Sequence, residues 1–176
     1  MPFHFGDLDE QTRGLMLSEI DSDVAAGTLY GSKRFNESGT AAYPGLLRAA
    51  AAHGDEGTLA ASLASGEYFI DREWVNRQPK GYWKDVPRDC AQTLAEGEFN
   101  RFYMRAVCLK AAGVDSDVVE VYRAKAVTNP RAESEILVGM CIEPADLLAD
   151  LRANKGFETI IGLAVPNSGL SVRIKT

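Results

Sequence analysis

The chain has 176 residues, 45% of them hydrophobic and 25% charged, and a formal net charge of −6. This length and balance predict a single domain, residues 1–176, with a core of its own, and they exclude a chain that is disordered throughout. The acidic excess repels polyphosphate and no run of five or more Lys or Arg offsets it, so nucleic acid is disfavoured as a partner.

Neither a secretory leader nor a membrane span is expected. Residues 1–5 lack the basic and apolar regions of a leader. The apolar stretches of the chain are all far shorter than the roughly 20 residues that cross a bilayer. We therefore expect a cytoplasmic protein with no membrane contact.

The first part of the chain is predicted to be helical. Three helices are expected there, at residues 7–26, 44–52 and 55–64. Asp7 and Glu10 form a capping-box-like pair at the start of the first helix, and Pro44 suits the first turn of the second. Residues 28–43 are rich in Gly, Ser, Asn and Thr, which predicts a long loop that covers a partner surface or is poorly ordered alone.

Residues 67–86 predict a β-hairpin or an extended arm. β-favouring aromatic and branched side chains lie on both sides of the turn-forming residues 78–81, and basic residues are interleaved with them. Such a mixture is typical of a surface that contacts another protein. A twisted hairpin with one buried aromatic face explains the pattern equally well. The candidate interface residues in this segment are Trp74, Arg77, Tyr82 and Trp83.

The longest predicted helix runs over residues 88–112 and ends at Gly113. Its apolar face is broad, as expected of a central helix packed on most sides. Its polar face carries Arg101 and Arg105, which complete the candidate interface if they are exposed. Such a cationic patch would include Arg123, Lys125 and Arg131. The commoner arrangement, which we favour, is a set of ion pairs worth about 0–1 kcal/mol each when exposed, with Glu98, Glu133 and Glu135 as partners.

The last third of the chain predicts a small, mainly antiparallel sheet. Strands are expected at residues 118–125 and 136–142, and a helix at 144–153. Apolar side chains then alternate over residues 161–165 and again over 170–174, with turn chemistry between them. This pattern predicts a C-terminal β-hairpin with one face on the core.

Together these elements predict an α+β fold rather than a parallel, doubly wound one. One long central helix joins N-terminal helices to the small antiparallel sheet. The expected parts of the domain are a helical part at about 7–64, an aromatic hairpin or arm at 67–86 and a helix-plus-sheet part at 88–176.

The sequence contains no catalytic, metal-binding or nucleotide-binding motif, so we predict no cofactor and no metal. His4 and His53 have no His or Cys partner at ligand spacing, and neither glycine-rich phosphate-binding pattern occurs. The three cysteines match no ligand pair, and their apolar or small neighbours predict buried free thiols. They are Cys90, Cys108 and Cys141.

A nuclease-like arrangement is the alternative function from another class. Asp115, Asp117, Glu120 and Lys125 lie on and just before a predicted strand, where a small enzyme acting on nucleic acid could hold a divalent ion. Glu120 and Lys125 are five residues apart, however, and fall on opposite faces of a regular strand. We therefore favour a protein that is not an enzyme.

The segments TLAEGEFNRFYMRAVCLKAAG and VVEVYRAKAVTNPRAESE and the tail PNSGLSVRI resemble uncharacterised proteins of phage and prophage genomes. The resemblance covers roughly the C-terminal half and includes no catalytic signature. It implies a structural protein of the virion, at the head or the head–tail junction, that is made in the host cytoplasm. Its expected partners are other protein subunits in a homo- or hetero-oligomeric assembly. No functional residue is carried over from it.

Overall fold

Six helices and five strands are present among the residues that the computed structural model describes, which are 2–114, 118–156, 159–163 and 167–175. The helices are α1 (Glu10–Ala25), α2 (Glu37–His53), α3 (Glu56–Ser65), α4 (Cys90–Gly113), α5 (Ala132–Leu137) and α6 (Pro144–Ala153). The strands are β1 (Arg72–Val75), β2 (Tyr82–Asp85), β3 (Val119–Arg123), β4 (Cys141–Ile142) and β5 (Leu170–Ile174). They form one two-stranded and one three-stranded antiparallel sheet, which confirms the predicted α+β class.

Helix α4 lies at the centre of the core. It packs against α1, α3, α6 and β5, and its middle turns are buried on every side. Phe99, Phe102 and Tyr103 are among its fully buried side chains, and each contributes about 1.5–3 kcal/mol of hydrophobic stabilisation. The prediction of a central helix packed on most sides is confirmed.

The three-stranded sheet packs one face on α4. Its strand order is β4-β3-β5, with Val121 opposite Val172 on the inner face and Glu120 opposite Arg173 on the outer one. The buried Asn100 side chain donates to the carbonyl of Leu170 at 2.8 Å and accepts from the Ser171 hydroxyl at 2.6 Å. These bonds fix the long helix to the edge strand β5.

Asp9, rather than Asp7, caps helix α1. The Asp9 carboxylate accepts hydrogen bonds from the backbone N–H and the hydroxyl of Thr12, both at 3.0 Å. Asp7 instead accepts from the N–H of Ile174 at 3.0 Å, so it ties the N-terminal segment to β5. The predicted start of this helix was wrong because two acidic residues offered similar caps.

Helix α2 begins seven residues before Pro44, so the predicted 28–43 loop is wrong over its second half. Asn36 caps the helix by accepting from the N–H of Gly39 at 2.8 Å. Pro44 lies inside the helix, where its ring nitrogen cannot donate to the carbonyl of Thr40. The helix therefore lacks one backbone hydrogen bond. Burial of Tyr43 and Leu47 on the same helix offsets the stability lost with that bond.

The predicted C-terminal hairpin is absent among the described residues. Residues 161–163 form turns, residues 164–166 lie outside the described part of the chain, and β5 pairs with β3. The buried Asp150 carboxylate accepts hydrogen bonds from the N–H groups of Ile160 and Ile161, both at 3.0 Å. These two donors are therefore not available for hydrogen bonds to a neighbouring strand.

The predicted strand at 136–142 is also mostly wrong. Its first residues belong to α5, and Cys141–Ile142 is the strand that remains. Gly139 has a φ of +85°, in the left-handed region, which interrupts extended backbone just before β4. The predicted strand at 118–125 and the helices at 55–64, 88–112 and 144–153 are confirmed within one or two residues at most ends.

Candidate functional site

The aromatic segment forms a hairpin whose large side chains face solvent. Trp74 in β1 lies directly opposite Trp83 in β2, and their ring centroids are 5.5 Å apart in an edge-to-face arrangement. Trp74 is 53% exposed, Trp83 60% and the neighbouring Tyr82 46%. The hairpin is as predicted, and the alternative with a buried aromatic face is wrong.

The Trp74 ring is held close to the hairpin backbone. A methyl group on Gly81 would collide with this ring, so glycine at that position allows the indole to lie against the chain. The tryptophan pair is therefore positioned before any partner arrives. A rigid, exposed aromatic pair loses little side-chain entropy on binding, which favours its use as an anchor.

The base of the hairpin is fixed to the rest of the protein. The Arg34 guanidinium donates two hydrogen bonds to the Glu73 carboxylate, both at 2.8 Å, and holds the pKa of that carboxyl below its ordinary value. The N–H of Ile70 donates to the carbonyl of Arg34 at 2.9 Å, and the Phe35 and Phe69 rings pack 5.1 Å apart. The strands themselves pack mainly on each other, so the hairpin projects from a fixed base.

Replacing Arg34 by alanine is expected to loosen this base. Loss of the bidentate bond to Glu73 should speed amide exchange in residues 72–85 on the order of tenfold. Hydrogen-exchange mass spectrometry measures the rate of amide exchange in this segment. The matched control is Arg72→Ala, which removes the exposed pair to Asp85 at 3.0 Å and should change exchange little. Equal exchange in the two variants would contradict the anchoring role of Arg34.

The outer part of the hairpin is cationic. Residues 74–84 include Arg77, Lys80 and Lys84 and no acidic residue. All three are exposed, and within the described part of the chain none of them forms a salt bridge. Since the whole chain is acidic, this tip has the opposite charge to the average surface.

A groove with a volume of about 910 Å³ lies at the foot of the hairpin, between the end of α3, residues 66–72 and residues 85–91. Its apolar lining includes Phe69 and Ile70. Arg72 and Asp85 pair with each other on its wall. The remaining charged residues leave a net negative charge: they are Glu67, Asp71 and Arg88.

Arg101 and Arg105 do not belong to this surface. They are 2% exposed each, and they lie inside the protein on α4. Their assignment to the interface is corrected, because a side chain buried in the core cannot contact a partner. Both form ion pairs, as favoured, but only Arg101 has one of the predicted partners, Glu98 at 3.5 Å. The partners of Arg105 are Glu19 and Asp23, which were not predicted. Arg77, in contrast, is exposed, in the segment that joins β1 to β2.

Arg105 joins α4 to α1 through two buried carboxylates. It donates to Glu19 at 2.7 Å through Nε and to Asp23 at 2.8 Å through a terminal nitrogen. Arg152 of α6 also donates to Glu19, at 3.0 Å and 2.5 Å. Burial raises the pKa of Glu19 and Asp23, but hydrogen bonds and the positive charge of the arginines outweigh it, so both pKa values lie below their ordinary range.

Glu98, on α4, is another buried carboxyl, and it is less well paired than Glu19 and Asp23. Burial raises its pKa to about 7, against the opposing effect of the Arg101 charge. Three buried polar atoms lack a hydrogen-bond partner among the described residues: Glu98 Oε2, Arg101 Nε and Tyr43 Oη. Arg101 is otherwise held by backbone carbonyls, including that of Asn154 at 2.6 Å. The arrangement braces the core and is not open to a substrate.

A smaller cavity of about 370 Å³ lies between the end of α1 and the start of α2. Its wall is mainly apolar, and the hydroxyl-bearing side chains that line it are Ser32, Thr40 and Tyr43. No acid, base or thiol lines it among the described residues.

Glu120 and Lys125, the two described residues of the nuclease-like alternative, each pair with a different residue and not with each other. Glu120 pairs with Arg173 at 2.8 Å on the outer face of the sheet, whereas Lys125 pairs with Glu96 at 2.5 Å. Asp115 and Asp117 lie outside the described residues. Across residues 2–114, 118–156, 159–163 and 167–175, no group of three or more His, Cys, Asp or Glu side chains is placed to hold a metal ion.

The cysteines differ in exposure. Cys108 is buried in α4, where burial raises the pKa of its thiol to about 12, and Cys90 is half-buried. Cys141 is exposed, so the prediction of a buried thiol is wrong there. It lies on the edge strand β4 with its side chain on the outer face, because the next residue, Ile142, faces the core.

Within the described residues, no helix combines the length and the apolarity that a membrane crossing requires. A scan against protein-family models, a search of curated proteins and a search of solved structures each gave no match to this chain.

Proposed function

We propose that this chain is a structural or interaction protein, a subunit that contacts its neighbours in a larger assembly through the exposed aromatic hairpin. The observation that carries the proposal is the solvent-exposed pair Trp74 and Trp83 on a hairpin with a fixed base. Tryptophan, tyrosine and arginine are enriched where proteins bind each other, because they bury much apolar area and retain polar contacts. Arg77 and Tyr82 complete that composition.

The finer proposal is a phage virion component at the head or the head–tail junction. It rests on the resemblance of the C-terminal half to phage and prophage proteins. Among the described residues, no group of three or more His, Cys, Asp or Glu side chains is placed to hold the metal ion that the enzyme alternative requires. A subunit that acts through contacts needs a rigid core and an exposed anchor, and the central helix and the hairpin supply these.

Replacing both tryptophans tests the proposal. In extracts of the cells that make this protein, we expect the wild-type chain to sediment with the proposed larger assembly. The double variant Trp74→Ser with Trp83→Ser should stay out of that assembly, because the anchor side chains are lost. Thermal unfolding should change little, since both positions are exposed. Sedimentation of cell extracts followed by mass spectrometry measures the distribution.

The matched control places the same change on exposed apolar residues away from the hairpin. Ile136 and Ile160 are 80% and 87% exposed, and Ile136→Ser with Ile160→Ser should enter the assembly as the wild-type chain does. If the double tryptophan variant also assembles normally, the hairpin is not the contact element.

A further inference from the structure

We propose that the partner of the hairpin is a second copy of this chain, and that two copies exchange hairpins around a two-fold axis, each tip lying in the other's groove. This inference rests on the proposed function and names the partner of the same site. Its basis is the pairing of a cationic aromatic tip with an acidic, partly apolar groove in one molecule.

Charge complementarity is the first argument. Arg77 and Lys80 at the tip form no salt bridge within the described residues. Glu67 and Asp71 line the groove, are exposed and likewise form none there, and they outnumber the unpaired Arg88 in the same lining. A tip laid in the groove of another copy brings these unpaired charges of opposite sign together, which favours encounter and fixes register.

The position of the groove is the second argument. It lies at the foot of its own hairpin, beside Arg72 and Asp85 at the strand ends, whereas Lys80 is in the turn at the other end. A tip therefore does not reach the groove of its own chain. Because the donating and accepting surfaces are neighbours on one molecule, two copies can satisfy both at once, which gives a closed, self-complementary dimer.

Area is the third argument. A stable interface buries about 1,200–2,000 Å² in total, and one hairpin in one groove supplies only part of that. Reciprocal insertion doubles the buried area and covers Trp74, Tyr82 and Trp83 of both copies. It also covers Ile70, an exposed apolar side chain of the groove.

A charge-swap experiment tests the exchange with the purified full chain. Light scattering after size exclusion should show a dimer for the wild-type protein. Tip variant R77E/K80E and groove variant E67K/D71K should each dissociate, with the dissociation constant weakened on the order of 100-fold, because each places like charges together. An equimolar mixture of the two variants should regain the dimer, since in a mixed pair both contacts again join opposite charges.

Several outcomes would overturn the exchange. They are a wild-type chain that stays monomeric at all concentrations, variants that dimerise as the wild type does, and a mixture that stays monomeric. Binding of an oligodeoxythymidine probe by the monomer, abolished in R77E/K80E, would assign the tip to nucleic acid instead. Circular dichroism confirms that the exposed substitutions leave the fold intact.

The inference and the proposed function fail differently. A monomeric wild-type chain that still needs Trp74 and Trp83 to enter the assembly of the source cells refutes the exchange and leaves the hairpin as a contact to another protein. Normal entry of the double tryptophan variant refutes both.

Discussion

Replacing Arg105 by alanine is expected to lower the free energy of unfolding by about 3–5 kcal/mol, because it leaves the buried Asp23 carboxylate without its main partner and the buried Glu19 carboxylate with Arg152 alone. Glu19 and Asp23 are both buried, and Arg105 donates to each. Their pKa values, now held below the ordinary range, should rise toward it in the variant. Urea unfolding at neutral pH measures the change in stability.

A matched control lies on the same carboxylate. Arg152 also donates to Glu19 but is about half exposed, and Arg152→Ala leaves Arg105 in place. We expect a loss of only about 0–1 kcal/mol for it. If the two variants are equally stable, Arg105 is not the central brace between α1 and α4.

The substitution Glu98→Gln is expected to change the pH dependence of stability by about 3 kcal/mol. The folded-state pKa of Glu98 is about 7, whereas its ordinary value is 4.5. The folded protein therefore holds this proton more tightly than the unfolded chain does. The stability contributed by the protonated carboxyl is present below pH 4.5 and is lost as the pH rises through 7, at 1.36 kcal/mol for each unit of difference in pKa.

Glutamine cannot lose that proton. The variant should therefore gain stability relative to the wild-type chain between pH 4.5 and pH 8, whatever its difference at pH 4.5. Denaturation at both pH values measures this gain. The pKa values of Glu19 and Asp23 are lowered, so the stability that these two carboxylates contribute to the folded protein is lost as the pH falls. This loss occurs in both proteins. A constant difference between the two proteins from pH 4.5 to pH 8 would show that Glu98 titrates normally.

The sequence predicted those parts of the fold in which one local signal was strong. The hairpin at residues 67–86 was predictable because aromatic residues flank a turn sequence. Helices α3 and α6 were predictable because Asp55 and Pro144 mark their starts. The start of α2 was not predictable in this way, since Pro44 offered a first-turn signal that Asn36 overrides.

Long-range contacts explain the remaining differences between the elements predicted from sequence and those in the structure. The bonds from Asp150 to residues 160 and 161 remove donors that a predicted strand needed. Arg105 reaches Asp23 across 82 residues of sequence, so its burial has no local signal. One hint was present: Glu19 and Asp23 are four residues apart on α1, and Arg101 and Arg105 are four apart on α4, a spacing that places each pair on one helix face.

The sequence predicted the exposed aromatic residues of the candidate site but not the groove beside them. Its exposed members, among them Trp74 and Trp83, were named from sequence, whereas the groove at the hairpin base requires the fold. That groove joins residues from α3, the 66–72 segment and the start of α4. Chain order alone does not show that these pieces form one concave surface.

Tryptophan fluorescence, recorded together with light scattering over a range of concentrations, reports whether the hairpins become buried as the chain associates. Both tryptophans of the chain lie in the hairpin, so the emission reports on this element alone. If the hairpins are exchanged, the emission shifts to shorter wavelength and becomes protected from acrylamide as the mass rises toward a dimer. A mass that rises while the emission stays that of exposed tryptophan would contradict the exchange.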